Sequence, residues 1–190
     1  LDVSKLRIFG SSRSAGTTRD AGKFGDVPVE LFDVAAAREC DVVFLAVSGE
    51  FALEHAKAIS EGEDGAVVID NSSAFRYDKD IPLVVPEVIG EILENYPLPG
   101  IIANPNCSTI QLLVALKTIH DKFSIERIDV TTLQAVSGTG KEAVDELNSQ
   151  IISHSSNEDL VSNIYAKPIA FNVLPHCDVF EDNRYTKEEM

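Results

Sequence analysis

Basic residues are scarce in this sequence: 16 Lys and Arg stand against 31 Asp and Glu, a net charge of -15. So acidic a chain is a poor partner for a phosphate backbone, and no nucleic-acid role is expected. A phosphorylated metabolite can still be held by a few well-placed Arg and Asn side chains. Cysteine is sparse as well. Cys40, Cys107 and Cys177 are odd in number and lack CxxC spacing, which argues against a disulfide framework and a zinc site, so no metal is expected. No apolar stretch reaches the length of a membrane helix, and Leu1-Asp2-Val3-Ser4-Lys5 does not read as a signal peptide. A cytoplasmic protein with no membrane role is the expectation. Internal repeats and low-complexity tracts are absent. An initiator Met is absent too, and the chain stops at Glu188-Glu189-Met190 inside what reads as a charged helix, so both ends read as cut.

What is present suits a folded domain. The 190 residues are 44% hydrophobic and 25% charged, enough to bury a real core. Leu6 to Phe9 reads as a strand, closed by Gly10 and the polar string Ser11-Ser12-Arg13-Ser14-Ala15-Gly16. Val27 to Leu31 reads as an edge strand because it carries Pro28. Asp41 to Val47 is a continuous apolar run, the pattern of a strand covered on both faces. Phe51 to Ile59 reads as a helix, Ala66 to Asp70 as a buried strand, and Leu83 to Val85 as a short extended piece between prolines. Strands alternating with helices predict an α/β fold with a doubly wound parallel, Rossmann-like sheet, whose ligands gather at the strand ends. A second α+β part starts later, with a long strand at 125–136, a helix from Lys141 to Ile152, a polar loop from Ser153 to Asn163, and extended chain from Ile169 to Pro175.

The chain is arranged around Asn104-Pro105-Asn106-Cys107-Ser108-Thr109-Ile110-Gln111. A short apolar strand, Gly100 to Ala103, precedes it. Leu112, Leu113, Ala115, Leu116 and Ile119 follow at helical spacing. Cys107 thus sits at the mouth of a helix that Asn106 or Ser108 could cap. There a thiol faces free backbone N–H groups and the positive end of the helix dipole, which favour thiolate and could hold a developing oxyanion. A free Cys is more commonly a small buried filler, but this one lies in a turn rather than inside an apolar run.

Other segments carry weaker signals. Ser11, Arg13 and Ser14 put hydroxyls and a guanidinium at a strand end, where an Arg suits the 2'-phosphate of NADP; an ordinary polar loop looks the same. Asn71-Ser72-Ser73-Ala74-Phe75-Arg76 follows a buried strand and offers Arg76 as a fork for phosphate. Gly138-x-Gly140-x-x-Ala143 satisfies a dinucleotide fingerprint by pattern alone, while Ala135 and Glu142 exclude a P-loop. None of His55, His120, His154 and His176 carries a local signature of a catalytic base. His55 reads as part of a solvated helix face.

Asn-Pro-Asn-Cys-Ser-Thr-Ile-Gln resembles the active-site signature of the aspartate-semialdehyde dehydrogenases. Ser-x-Arg-Ser-Ala-Gly is similar to that family's NADP-binding loop, and Asn71 to Arg76 is similar to its phosphate-binding segment. Gln134-Ala-Val-Ser137-Gly138 and Tyr185 to Met190 extend the likeness through nearly the whole chain, whereas Ala46-Val47-Ser48-Gly49 departs from the family's usual Ser-Ala-Gly.

The resemblance implies a partial NADP-binding domain over 1–104 and a partial catalytic/dimerisation domain over 105–190. Cys107 would be the nucleophile and Gln134 would orient the substrate. Arg76 and Asn106 would bind phosphate, and Ser137 and Gly138 would border the nicotinamide, beside the Ser11, Arg13, Ser14 loop. The activity implied is NADP-dependent reductive dephosphorylation of aspartyl 4-phosphate to aspartate semialdehyde, in lysine, threonine and methionine biosynthesis, by a homodimer or homotetramer. The rivals are another acyl-phosphate reductase, such as N-acetyl-glutamyl-phosphate reductase, and an inactive binding or assembly fragment. Family members also have a Gly-rich turn after their first strand and a Glu, an Arg and a His base past position 190. The chain alone is therefore expected not to turn over.

Overall fold

Two three-stranded sheets organise the first part of the chain in the computed structural model, which describes residues 2–190. In the first sheet β1 (Ile8–Gly10) runs parallel to β3 (Asp26–Leu31), with Ile8 opposite Val29, and β2 (Thr18–Asp20) pairs antiparallel to β3, with Thr18 opposite Pro28. β3 is therefore the middle strand, not the edge that its proline suggests. The Val29 N–H donates to the Thr17 carbonyl on the β2 side at 2.8 Å. Alternation turns the nitrogen of Pro28 the other way, to the point where the β1 ladder has only begun, so the missing donor costs no ladder bond. Arg7 ties this sheet to the chain beyond β3: Nε and Nη2 donate to both Glu30 oxygens at 2.9 and 2.7 Å, and Nη1 donates to the Ala36 carbonyl at 3.0 Å. Helix α1 (Val34–Arg38) starts where the Asp33 carboxylate accepts the Ala36 N–H at 2.9 Å, an N-cap.

The second sheet is all parallel: β4 (Val42–Leu45), β5 (Val67–Asp70) and β6 (Ile101–Ala103), in that order. Helix α2 (Gly49–Ser60) crosses from β4 to β5. Its buried residues Ala52, Ala56 and Ile59 recur at helical spacing and join Val43, Leu45, Val68, Phe75, Ile101 and Ala103 in one core. Ile59 is fully buried, worth roughly 1.5–3 kcal/mol relative to an exposed side chain. Parallel strands joined through helices make this the doubly wound α/β arrangement that the apolar pattern predicts. One detail differs. β4 alternates instead of being covered on both faces, and Phe44 is 74% exposed. Ala37 of α1 and the inner stripe of α2 share one cluster with Val43 and Leu45, so both helices serve the same face. Leu83 to Val85 contributes only a bridge between Leu83 and Ala103. After a short α3 (Pro86–Ile89), helix α4 (Cys107–Phe123) follows β6.

The chain divides into two compact units, Leu1–Ile128 and Asp129–Met190. The long strand expected at 125–136 does not form. Those residues make no ladder among the described residues, and Leu133 is 87% exposed; alternation supplies a face but not the neighbour a strand needs. The second unit is built on α5 (Lys141–Ser155), which buries Ala143, Glu146 and Gln150. The extended piece from Ile169 is broken by a turn, with Phe171 at φ 56°. Tyr185 to Met190 is not helical: Phe180 bridges to Thr186, and the Arg184 N–H donates to the Glu181 carbonyl at 2.9 Å.

Candidate active site

Strand β6 delivers the chain to Asn106, whose backbone is extended (φ -58°, ψ 144°), and α4 begins at Cys107. The Asn106 Oδ1 accepts the Ser108 and Thr109 N–H groups at 2.9 and 3.3 Å and the Ser108 hydroxyl at 2.6 Å. Of the two candidate caps, Asn106 is the one used. This corrects the picture of a first turn with its donors free: the Ser108 and Thr109 N–H groups are taken by the cap. Cys107 is exposed, so it is not buried filler.

Arg76 comes to the same place by a built loop. Asp70, at the end of β5, is completely buried, and its carboxylate accepts the Ser72 N–H at 3.1 Å and the Ser72 hydroxyl at 2.8 Å. The Ser72 hydroxyl oxygen in turn accepts the Ala74 N–H at 3.1 Å. This folds the chain back so that the Arg76 Nε donates to the Asn104 carbonyl at 3.1 Å and Nη2 donates to the Asn71 carbonyl at 3.3 Å. The Asn104 side-chain amide donates to the Asn71 amide oxygen at 2.7 Å. The guanidinium is thus held by backbone just past the C-terminal ends of β5 and β6, and its partner Asn104 stands three residues before Cys107. Nothing in the sequence marks Asp70 as the anchor of this loop.

The Ser11–Gly16 turn stands elsewhere, at the end of β1 on the other sheet. The Ser14 and Ala15 N–H groups donate to the Ser11 carbonyl at 3.0 and 2.9 Å, and the Ser14 hydroxyl does so at 3.2 Å. A Cβ on Gly10 would meet the Ser14 Oγ at 2.3 Å and Val29 Cγ1 at 2.9 Å, so only glycine lets the turn close. Arg13 is exposed and makes no ion pair or hydrogen bond among the described residues.

Within the second unit, Gln134 is held from both sides. Its amide oxygen accepts the Thr132 hydroxyl at 2.8 Å, and its Nε2 donates to Glu188 at 3.0 Å. Glu188 lies 54 residues away and gives no local sign of this pairing. Ser137 and Gly138 lie in a single 3-10 turn, Val136–Thr139. Gly140 needs its φ of 113°, whereas a Cβ on Gly138 would meet nothing within 4 Å. Gly138 is therefore not demanded by the chain's own packing.

Three of the four histidines pack against aromatic rings. His55 is not on a solvated face: its ring packs 4.4 Å from Phe51 and 5.0 Å from Phe32. His154 lies against Phe171 and His176 against Phe180. His120 lines an apolar concavity of about 310 Å³ with Leu113, Leu116, Ile125 and Ile128. No helix among the described residues is long and apolar enough to cross a membrane.

Residues 1–96 match the semialdehyde dehydrogenase NAD-binding domain, and residues 116–190 match the semialdehyde dehydrogenase dimerisation domain. An aspartate-semialdehyde dehydrogenase of Shewanella violacea is 48% identical over 99% of this chain and 55% of its own length. The crystal structure of aspartate semialdehyde dehydrogenase II from Vibrio cholerae, complexed with ASA, is 45% identical and superposes with a TM-score of 0.88 over 98% of this chain and 55% of that one. The Candida albicans enzyme with NADP is 30% identical, with a TM-score of 0.55 over 74% of this chain and 46% of its own. The chain spans about half the length of the curated relatives it matches. These relatives bear the name that the Asn-Pro-Asn-Cys string pointed to, and the chain belongs to the semialdehyde dehydrogenase family.

Proposed function

We propose that the protein carrying this chain is an aspartate-semialdehyde dehydrogenase, reducing aspartyl 4-phosphate to aspartate semialdehyde with release of phosphate. The observation that carries this reading is an exposed thiol at the first residue of a capped 17-residue helix, with a fixed guanidinium at the adjacent strand ends. The Cys107 thiolate attacks the acyl carbon, the C–S bond forms, and the acyl C–O bond breaks to release phosphate. Arg76 and Asn106 are the phosphate-side groups. Gln134, steadied by Thr132 and Glu188, orients the substrate for attack. A bound nicotinamide would supply a hydride to the acyl carbon, and the C–S bond then breaks, releasing the aldehyde and returning Cys107 as thiolate.

The cofactor in this reading is NADP. An exposed Arg13 with no acidic partner among the described residues, on a turn of serines, has the chemistry to meet a 2'-phosphate. Ser137 and Gly138 border the nicotinamide, and an open Gly138 lets a flat ring approach the backbone. The functional division falls at 104/105, ahead of the thiol. A homodimer or homotetramer uses the second part, where Leu133, Phe171 and Val173 are 87%, 76% and 71% exposed. The setting is cytoplasmic synthesis of lysine, threonine and methionine. The test is phosphate-dependent reduction of NADP by the full-length protein with aspartate semialdehyde. Reduction that needs both phosphate and the thiol supports the reading, and acceptance of N-acetyl-glutamate semialdehyde in its place overturns it.

A further inference from the structure

Two of the buried polar side chains in the second unit lie on one helix and take no part in the proposed reaction. Glu146 and Gln150 are one turn apart on α5, 8% and 1% exposed. The Glu146 carboxylate accepts the Asn163, Ile164 and Tyr165 N–H groups at 2.6, 2.7 and 3.4 Å. The Gln150 amide oxygen accepts the Ile169 and Ala170 N–H groups at 2.9 and 3.0 Å, and its Nε2 donates to the Val161 carbonyl at 2.8 Å. The segment from Val161 to Ala170 is thereby fastened to the helix by its main chain, although it has no ladder of its own. Such a fully paired buried network fixes one conformation.

One side chain of that segment reaches back. The Tyr165 hydroxyl donates to the Thr139 Oγ1 at 2.9 Å. Thr139 belongs to the turn leading into α5, and that helix has no side-chain N-cap: its cap residue is Gly140. The turn is otherwise closed by main-chain bonds alone, from the Gly140 N–H to the Ser137 carbonyl at 3.2 Å and from the Val144 N–H to the Gly140 carbonyl at 3.3 Å. Among the described residues the Tyr165 hydroxyl is the side-chain tie that this turn receives.

We propose that Tyr165, seated by Glu146, is a positioning residue for the Ser137–Gly140 turn, holding the Ser137-Gly138 backbone at a fixed height above the start of α5. Its catalytic meaning rests on the function proposed above, in which that backbone borders the nicotinamide. A loop that meets a flat ring must be held to a few tenths of an ångström for the ring to sit in line, and two glycines in four residues leave it too free to hold itself. The tie supplies the constraint from outside the turn and leaves Gly138 open.

The experiment uses the full-length protein and three variants: Tyr165→Phe, Thr139→Val and Glu146→Gln. Amide hydrogen exchange at Gly140 reads the tie directly. Tyr165→Phe and Thr139→Val are each expected to speed it about 2- to 10-fold, the span of one ordinary hydrogen bond, while the Ile164 and Tyr165 amides stay protected. Glu146→Gln is expected to speed exchange at both places. In turnover, Tyr165→Phe is expected to lower kcat several-fold with little change in KM for aspartate semialdehyde, and the Tyr165→Phe, Thr139→Val double variant to lose no more than either single one. Unchanged Gly140 exchange in Tyr165→Phe, or additive losses in the double variant, overturns the proposal. A wild-type protein inactive on aspartate semialdehyde sinks the functional reading instead, and the exchange at Gly140 then decides the tie alone.

Discussion

The Arg76 Nε donates to the main-chain carbonyl of Asn104 at 3.1 Å, so the cation is held by backbone at the mouth of the Cys107 turn. Carbonyls cannot neutralise it, and the guanidinium keeps its full charge for an anion. Arg76→Lys keeps that charge and loses the planar fork. We expect the phosphate KM of the full-length protein to rise about 10-fold or more, the value of one charge-assisted bond, with a smaller change in kcat. Initial rates against phosphate check this, and an unchanged KM removes Arg76 from the phosphate site.

Three thiols differ in what surrounds them. Cys107 is exposed and Cys40 is half-buried. Burial pushes the Cys177 thiol up, and Glu188, Asp178 and Glu189 push it in the same direction, which keeps it protonated and slow at neutral pH. Limiting iodoacetamide at about pH 7 should therefore label Cys107 first and Cys177 last. Peptide mapping reads the order, and early labelling of Cys40 or Cys177 counts against the assignment.

The Asn106 side chain spends its oxygen on the first turn of α4. Asn106→Ala should cost about 1 kcal/mol of stability, with a range of roughly 0.5–2, and Asn106→Asp should recover most of it. Denaturant midpoints decide. If both variants lose the same stability, the cap is not what Asn106 contributes.

The contrast between Asn106 and Asp70 shows where the sequence is legible. A polar residue before an apolar helix announces a cap, because the interaction spans two or three residues and leaves a local mark. Asp70 reaches only to Ser72, yet its importance comes from complete burial at the end of β5, between β4 and β6, which no local window contains. The same holds for Gln134 and Glu188, 54 residues apart. Strands β4, β5 and β6 show as apolar runs because β-branched and apolar residues cluster there. The alternation at 125–136 is equally clear in pattern, and it misleads: a strand is a property of two segments, and the pattern describes only one. Pro28 misleads in the opposite direction, since the side to which its nitrogen points is invisible in sequence.

Arg13 lies exposed with no acidic partner among the described residues. Arg13→Ala should cut the preference for NADP over NAD by the worth of a charge-assisted bond, about 1.5–3 kcal/mol. Most of that loss should appear in the KM for NADP. The ratio of kcat/KM values for the two cofactors measures it. An unchanged ratio places the 2'-phosphate away from this turn.

Glu146 gives a pH signature that follows from its sign. Burial alone pushes its carboxyl up, but the N–H groups of Ile164, Asn163 and Tyr165 together outweigh that and hold it below its ordinary value. A carboxyl whose pKa is lower folded than unfolded adds stability above the unfolded value, about 4.3 for Glu. That stability is lost as pH falls through the folded value, because the folded state then takes up the proton as well. At pH 7 we expect Glu146→Gln to be less stable than wild type by roughly 1.5–3 kcal/mol, the worth of hydrogen bonds to a charged group. The difference should shrink steadily below about pH 4. Denaturant midpoints of both proteins between about pH 7 and pH 3 give the curve. A constant difference across that range means the carboxylate's charge contributes nothing and the loop is held by shape alone.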